Sequence, residues 1–418
     1  MLDRKLSIRL RATLAIFTLS LFVTGACAAE VLHNFFGNRE DGSNPEGSLI
    51  FDAAGNLYGT TAYGGPDIDK KHGTVFELTP NADGSWTKKD LHDFGRDPDG
   101  VSPVASLVFD SAGNLYGTTI TGGHDLTSGI VFELMPNGDG SWTENILRFF
   151  FPDGPRGSAP ADGLIFDSMG NLYGTTTTGS LTGVVFELKP KAGGTWTEKV
   201  LHSFSGGNQG SFPYAGLILD AAGNLYGTTA GTLRIGEDII DYGTVFELMP
   251  SAGGGWDFKI LHEFKNDGKD GFTPVAGLTF DADGNLYGTT YGGGNFGGGT
   301  AFELTPNADG TWTEKILHKF KNDGKDGYSV RGGLTFDSAG SLYGTTVAGG
   351  SDNMGTVFKL TPTAEGRWTE KIVHNFKNDG KDGNAPFAGV IIDASGNLYG
   401  TTRTGGTHNG GTVFKITP

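Results

Sequence analysis

Asn56-Leu57-Tyr58-Gly59-Thr60-Thr61 is the stretch on which the fold turns, because it returns along the whole chain. The same hexapeptide starts at Asn114, Asn171, Asn224, Asn285 and Asn397, and a variant with Ser in place of Asn starts at Ser341. From Tyr58 through Tyr116, Tyr173, Tyr226, Tyr287, Tyr343 and Tyr399 the spacings are 58, 57, 53, 61, 56 and 56 residues. A period of that size marks an architecture built from copies of one supersecondary unit. Around Tyr58 the unit reads as four strands. Residues 47–51 are a short apolar run, Asp52-Ala-Ala-Gly55 is a tight turn, and residues 56–61 are a threonine-rich second strand. After a glycine-rich loop, residues 74–79 form a third strand stopped by Pro80. Asn81-Ala-Asp-Gly84 turns again, and residues 86–94 form the fourth. No segment keeps a helical period.

A four-stranded unit cannot bury both of its faces alone. Radial stacking buries them and leaves only short edges, whereas a linear stack needs distinctive caps at both ends. The chain ends favour a ring. Val31-Leu-His-Asn-Phe35 matches the close of a fourth strand, as in Leu91-His-Asp-Phe94 and Leu317-His-Lys-Phe320. Thr412-Val-Phe-Lys-Ile-Thr-Pro418 is a third strand lacking its fourth. Pairing the two completes a seventh blade and hides two sheet edges. The sequence therefore predicts an all-β, seven-bladed β-propeller with four-stranded blades, one domain over residues 29–418, its ring closed by the N-terminal strand completing the last blade.

Composition agrees. Gly makes up 71 of 418 residues, well above the roughly 7% average, as many tight turns require. The net charge is −16, and residues 1–28 hold four cations against one anion, which leaves −19 on the rest. That balance repels a phosphate backbone or an anionic bilayer and argues against nucleic acid as a partner. Residues 1–28 read as a signal peptide: basic residues up to Arg11, an apolar run over residues 12–23, and Ala26-Cys27-Ala28 before the cut. The run is too short to span a bilayer comfortably, and no later stretch is long enough. The expected location is secreted, periplasmic or extracellular. Lipidation at Cys27, the sole cysteine, is the alternative, although Thr24-Gly25-Ala26 lacks the leucine usual before such a site.

Three recurring strings carry a family resemblance: Asp-x-x-Gly-Asn-Leu-Tyr-Gly-Thr-Thr, Gly-Thr-Val-Phe-Glu-Leu and Trp-Thr-Glu-Lys-x-Leu-His-x-Phe. They resemble the Gloeobacter/Verrucomicrobium-type (GloVer) extracellular repeat over nearly all of residues 31–418. The resemblance implies an exported repeat protein and brings no established activity.

Repetition makes scaffold of most conspicuous residues. Trp86, Trp142, Trp196, Trp256, Trp312 and Trp368 open the outermost strand, where they would cover seams between blades. His33, His92, His202, His262, His318 and His374 share one position on that strand, with Arg148 in the second unit. Copies in different blades cannot gather round one metal, so they read as structural. The turn aspartates, such as Asp52 and Asp281, would cap their turns. Glu77, Glu133, Glu187, Glu247 and Glu303 on the third strand would pair with lysines of the fourth. The FKNDGKDG loops starting at Phe264, Phe320 and Phe376 read as solvated turns. No cofactor is required by these residues, and weakly bound calcium in such loops is the alternative.

Function should then sit where the repeats differ, in the long loops around the channel mouth. Tyr63, Asp67, Asp69 and His72 stand out in the first unit, His124 and Asp125 in the second, and Arg234, Glu237, Asp238 and Tyr242 in the fourth. Tyr291, Arg403 and His408 follow in the last units. They would frame a polar, partly aromatic site for carbohydrate, another small molecule or a protein ligand. The leading expectation is a binding or interaction scaffold. Motifs for metalloprotease, serine hydrolase, phosphate loop or dinucleotide chemistry are missing, which points away from an enzyme. The alternatives are a lyase or hydrolase at the channel mouth, with His72, His124 or His408 as base, and a purely structural repeat protein.

Overall fold

A computed structural model describes residues 29–37, 41–65, 72–95, 98–124, 127–152, 155–179, 182–231 and 241–418. Seven four-stranded antiparallel sheets form the blades of a propeller. In the first blade the order from the axis outward is Ile50–Phe51, Leu57–Thr61, Thr74–Pro80 and Trp86–Asp93. In the seventh blade Ile391–Ile392, Leu398–Thr402 and Thr412–Ile416 are completed by Glu30–Asn34 from the other end of the chain. Glu30 lies opposite Lys415, and Asn34 opposite Thr412.

Each strand's sequence suits its depth. Leu57–Thr61 is buried along its whole length because both faces meet neighbours, whereas Trp86–Asp93 alternates toward solvent. The seams between blades repeat the same contacts around the ring. A phenylalanine just beyond each outer strand packs edge-on against one on the next blade's third strand. Examples are Phe94 with Phe132 at 5.1 Å and Phe35 with Phe76 at 5.2 Å. The outer tryptophans do cover the seams: Trp86 of the first blade meets Tyr399 of the seventh at 6.4 Å. The penultimate threonine of each second strand donates to a carbonyl of the following blade. The last of these bonds, Thr401 Oγ1 to the Gly47 carbonyl at 3.2 Å, joins blade seven to blade one.

The turn aspartates cap as expected: Asp52 Oδ1 accepts the N–H groups of Ala54 and Asn56, both at 2.9 Å. The third-strand glutamates differ in part from expectation. Glu303 does take Lys315 at 3.2 Å, but in the first five blades the glutamate also accepts the buried tyrosine hydroxyl, as from Tyr58 to Glu77 at 2.8 Å. Burial and the two neighbouring carboxylates push the Tyr58 phenol far above its ordinary range. On the loop face, four short two-stranded sheets, among them Gly271–Phe272 with Gly292–Gly293, brace the connections.

The glycine of each Leu-Tyr-Gly-Thr-Thr strand leaves room for that third-strand phenylalanine. A Cβ on Gly174 would fall 2.6 Å from Phe186 Cζ and 2.8 Å from Leu164 Cδ2. Gly174→Ala should therefore overpack the seam and cost about 1–3 kcal/mol, read as a lower denaturation midpoint in urea. An unchanged midpoint would show that the seam has slack the geometry does not reveal.

Candidate functional site

The central channel opens into a cavity of about 460 Å³. All seven blades reach it through one equivalent position, three residues before the Leu or Val that leads into the first strand. Six residue types occupy it: Glu46, Val104 and Ala161, then Tyr214 and Val275, then Arg331 and Phe387. What aims this position is a strained residue two places earlier. Asn44, Ser102, Ala159, Phe212, Thr273, Ser329 and Ala385 all have φ between 52° and 60°, a left-handed conformation costly for a residue with a side chain. Two backbone hydrogen bonds hold each of them. Ser102, for example, donates to the His72 carbonyl at 2.8 Å and accepts from Ile120 N–H at 3.2 Å.

One sector of this mouth is charged and aromatic. The Arg331 guanidinium lies 4.6 Å from the Phe387 ring centroid, and the Arg403 guanidinium 4.9 Å from the same ring. Arg403 Nε donates to Glu46 at 2.8 Å, whereas Arg331 has no ion-pair partner among the described residues. Tyr214 stands exposed at the rim. Deeper, the Asp162 carboxylate accepts the N–H groups of Gly163 and Gly216, both at 2.7 Å. Burial nevertheless raises its pKa above the usual carboxylate range.

Of the loop residues singled out by sequence, Arg403 is the one brought onto this sector. Tyr63 and Tyr291 are exposed on the loop face. His72 and Tyr242 supply backbone carbonyls to Ser102 and Thr273, and the Tyr242 ring lies 6.0 Å from Phe272. His124 packs 4.3 Å from Phe149 in a separate cavity beside Arg148 and Glu198. His408 packs 4.3 Å from Phe36 in another, which also contains Asp382 and Asn384. Asp67, Asp69, Asp125, Arg234, Glu237 and Asp238 lie outside the described residues. Sequence reasoning missed Glu46, Asp162, Tyr214, Arg331 and Phe387. The signal available was the residue that varies ahead of the small pair in lead-ins such as Phe212-Pro-Tyr-Ala-Gly216 and Ala385-Pro-Phe-Ala-Gly389, Asp162 being a lone exchange inside that pair.

A second group of chemistry-bearing residues adds to the reading of the outer histidines, most of which do form hydrogen bonds within their seams, as His92 Nε2 does with Asp99 at 3.3 Å. They do not gather with one another, but three of them gather carboxylates within their own seams. The clusters are His92, Asp99 and Glu144; His262, Asp270 and Glu314; and His318, Asp326 and Glu370. The histidine comes from one outer strand, the aspartate from the loop after it, and the glutamate from the outer strand of the next blade. In each cluster the candidate ligand atoms all lie within 4.8 Å of one another. Burial, reinforced by the neighbouring Asp99 charge, pushes Glu144 up to about 7. Burial with Asp326 lifts Glu370 to about 8. For His92 the hydrogen bond to Asp99 and the Glu144 charge outweigh burial and raise its pKa.

These clusters can coordinate a metal ion or move a proton near neutral pH. The expectation that the chain is not an enzyme is therefore overturned. A motif search missed these centres because each draws on two repeats, with donors about one repeat apart. The calcium alternative is also narrowed. The last aspartate of two of the FKNDGKDG loops, Asp270 and Asp326, does enter a cluster, but an imidazole is not a typical calcium ligand.

A family model described as Gloeobacter/Verrucomicrobia repeat matches residues 15–237 and 230–418. No curated protein matches the chain in sequence. Among solved structures, the periplasmic gluconolactonase of Pseudomonas aeruginosa is similar at a TM-score of 0.52 and 15% identity, over 80% of this chain and 86% of that one. The extracellular domain of a hybrid two-component system from B. thetaiotaomicron is similar at 0.50 and 14%, over 90% of this chain and 39% of that one. A luciferin-regenerating enzyme is similar at 0.43 and 12%, over 90% and 92%. At these identities the likeness is one of fold. No helix among the described residues is long and apolar enough to cross a membrane.

One seam carries a different, apolar solution with a measurable consequence. His202 stacks flat on Phe258, with centroids 3.8 Å apart and planes 5° apart, and its Nε2 is buried without a hydrogen-bond partner among the described residues. Burial holds its pKa at about 4, below the ordinary 6.5. The folded state thus binds fewer protons here than the unfolded chain. The stability His202 preserves is full above pH 6.5 and falls as pH drops from 6.5 toward 4. In urea melts at about pH 7 and about pH 4.5, His202→Phe should lose less stability on acidification than the parent protein. Equal losses would count against a buried neutral imidazole.

Proposed function

The chain belongs to the Gloeobacter/Verrucomicrobia repeat family, and from that footing we propose that it is an extracytoplasmic propeller that binds an anionic carbohydrate at the channel mouth and acts on it as a hydrolase or lyase. Family membership supports the location, and residues 1–28 serve as the export signal in this reading. The observation that carries the proposal is the Arg331 guanidinium, which has no ion-pair partner among the described residues and is held against Phe387 beside the Arg403–Glu46 pair. An arginine already positioned by an aromatic ring loses little freedom on capturing a carboxylate, and it can do so with two parallel hydrogen bonds. Phe387 and Tyr214 add faces on which a sugar ring can lie.

Glu46 and Asp162 are the carboxyl groups lining the cavity. Asp162, its pKa raised by burial, suits the general acid that protonates a leaving oxygen, and Glu46 suits the base. The gluconolactonase of similar fold shows that such a scaffold can host an enzyme of sugar-acid chemistry.

The test is a screen of the purified protein against sugar-acid lactones and oligouronates, following ring opening by acid release and eliminative cleavage by ultraviolet absorbance. Arg331→Ala should weaken binding of the active compound by roughly tenfold or more and leave the melting midpoint unchanged. Asp162→Asn should abolish turnover while binding persists. Failure of every anionic sugar to bind, or an Arg331→Ala protein that binds as well as the parent, would overturn the assignment.

A further inference from the structure

We propose that three of the seven blade seams are divalent transition-metal sites of the zinc type, in which one histidine, one aspartate and one glutamate staple adjacent outer strands through a shared ion. The seams are those between blades one and two, four and five, and five and six. In the first, His92 Nε2 lies 3.3 Å from Asp99 Oδ2 and 3.7 Å from Glu144 Oε2. In the second, His262 Nε2 lies 3.3 Å from Asp270 and 3.6 Å from Glu314, and in the third His318 Nε2 lies 3.0 Å from Asp326 and 4.0 Å from Glu370. Ligands placed tetrahedrally round zinc, with bonds of about 2.0–2.2 Å, stand about 3.4 Å apart. The histidine–carboxylate distances of 3.0–4.0 Å bracket that spacing, and small side-chain shifts that exchange the His–Asp hydrogen bonds for metal bonds would bring all three donors onto one ion.

Two further observations point to a cation. In each of the three clusters a glutamate oxygen is fully buried and without a hydrogen-bond partner: Oε1 of Glu144, of Glu314 and of Glu370. Buried carboxylate oxygens left in that condition are costly unless a proton or a cation meets them, and a dication can meet both carboxylates of a cluster at once.

The other seams show what meets them when the sequence changes. Between blades seven and one, Lys88 occupies the glutamate position, and its ammonium sits 3.0 Å from Asp41. Between blades two and three, Arg148 and Arg156 occupy the histidine and aspartate positions and lie 2.8 and 3.7 Å from Glu198. Between blades three and four, Phe258 replaces the glutamate and stacks on His202. Between blades six and seven, Ala29 stands at the glutamate position beside the His374–Asp382 pair. Among the described residues, two carboxylates thus face each other in the three seams where no Lys or Arg forms an ion pair with them, Lys321 acting on Glu370 only through its more distant charge. A bound dication would do in three seams what a side-chain cation does in two.

The donor set selects the ion. An imidazole with two carboxylates suits zinc and its first-row neighbours, whereas calcium prefers six to eight oxygens.

The test strips the purified protein with a chelator, dialyses it against zinc or calcium, and measures metal content and melting midpoint. The parent protein should retain three zinc ions, one for each cluster, with a midpoint raised by several degrees. Glu144→Lys, copying the arrangement at Lys88, should retain one ion fewer. The triple variant Glu144→Lys/Glu314→Lys/Glu370→Lys should retain none and melt at the same temperature with and without zinc. If the lysine variants do not fold, Glu144→Gln, which keeps the volume, should also lose one ion. A parent protein that holds no zinc, a triple variant that holds the full complement, or calcium filling the sites as well as zinc would each overturn the proposal.

Discussion

The antiparallel pairing of Glu30–Asn34 with Thr412–Ile416 is the interaction on which the molecule depends. Each blade buries its faces only against neighbours, so an open array would leave two apolar faces and two unpaired edges in water. The pairing closes the array with a strand that has no other partner. It also brings the seventh blade against the first, so that Phe35 reaches Phe76, Trp86 reaches Tyr399 and Thr401 reaches Gly47. The charged and aromatic sector of the channel mouth inherits this dependence. Arg403 and Phe387 come from the last blade and Glu46 from the lead-in to the first, and they meet only because the ring is closed.

The fold was legible because its determinants repeat. Leu-Tyr-Gly-Thr-Thr, the turn aspartate, the third-strand phenylalanine and the outer tryptophan each solve a packing problem that every blade shares. The chain ends could be matched because both are fragments of that same unit. The site was less legible for the opposite reason. Sequence reading sought function in the longest and most irregular loops, of whose residues Arg403 lies beside Phe387 and Glu46. The mouth, however, is shaped by a single column inside the otherwise regular lead-ins, where Glu46, Tyr214, Arg331 and Phe387 differ against a constant background. The left-handed residue two places earlier, such as Asn44 or Ala385, makes that column point inward, and φ is not visible in a residue name.

The outer histidines illustrate a second limit. His92, His262 and His318 looked structural because each was compared with its own copies in other blades. Their partners are Asp99 and Glu144, Asp270 and Glu314, and Asp326 and Glu370, which sit in the next loop and the next repeat. Comparing column against column in successive repeats would have exposed the pattern, because Lys88, Arg148 and Phe258 mark the seams in which the His, Asp and Glu columns are not all kept. The propeller thus separates its tasks. Identical positions hold blades together, one variable column lines the mouth, and coupled columns at the rim set the charge of each seam.

Ring closure can be measured directly with a disulfide. In a Cys27→Ser background, Glu30→Cys/Lys415→Cys places thiols at the first paired position of the closing strand. Closure predicts an intramolecular disulfide on mild oxidation, seen as faster migration of the unreduced denatured chain, together with a melting midpoint that falls on reduction. Thiols that stay free, or that link only between separate molecules, would contradict the closed ring.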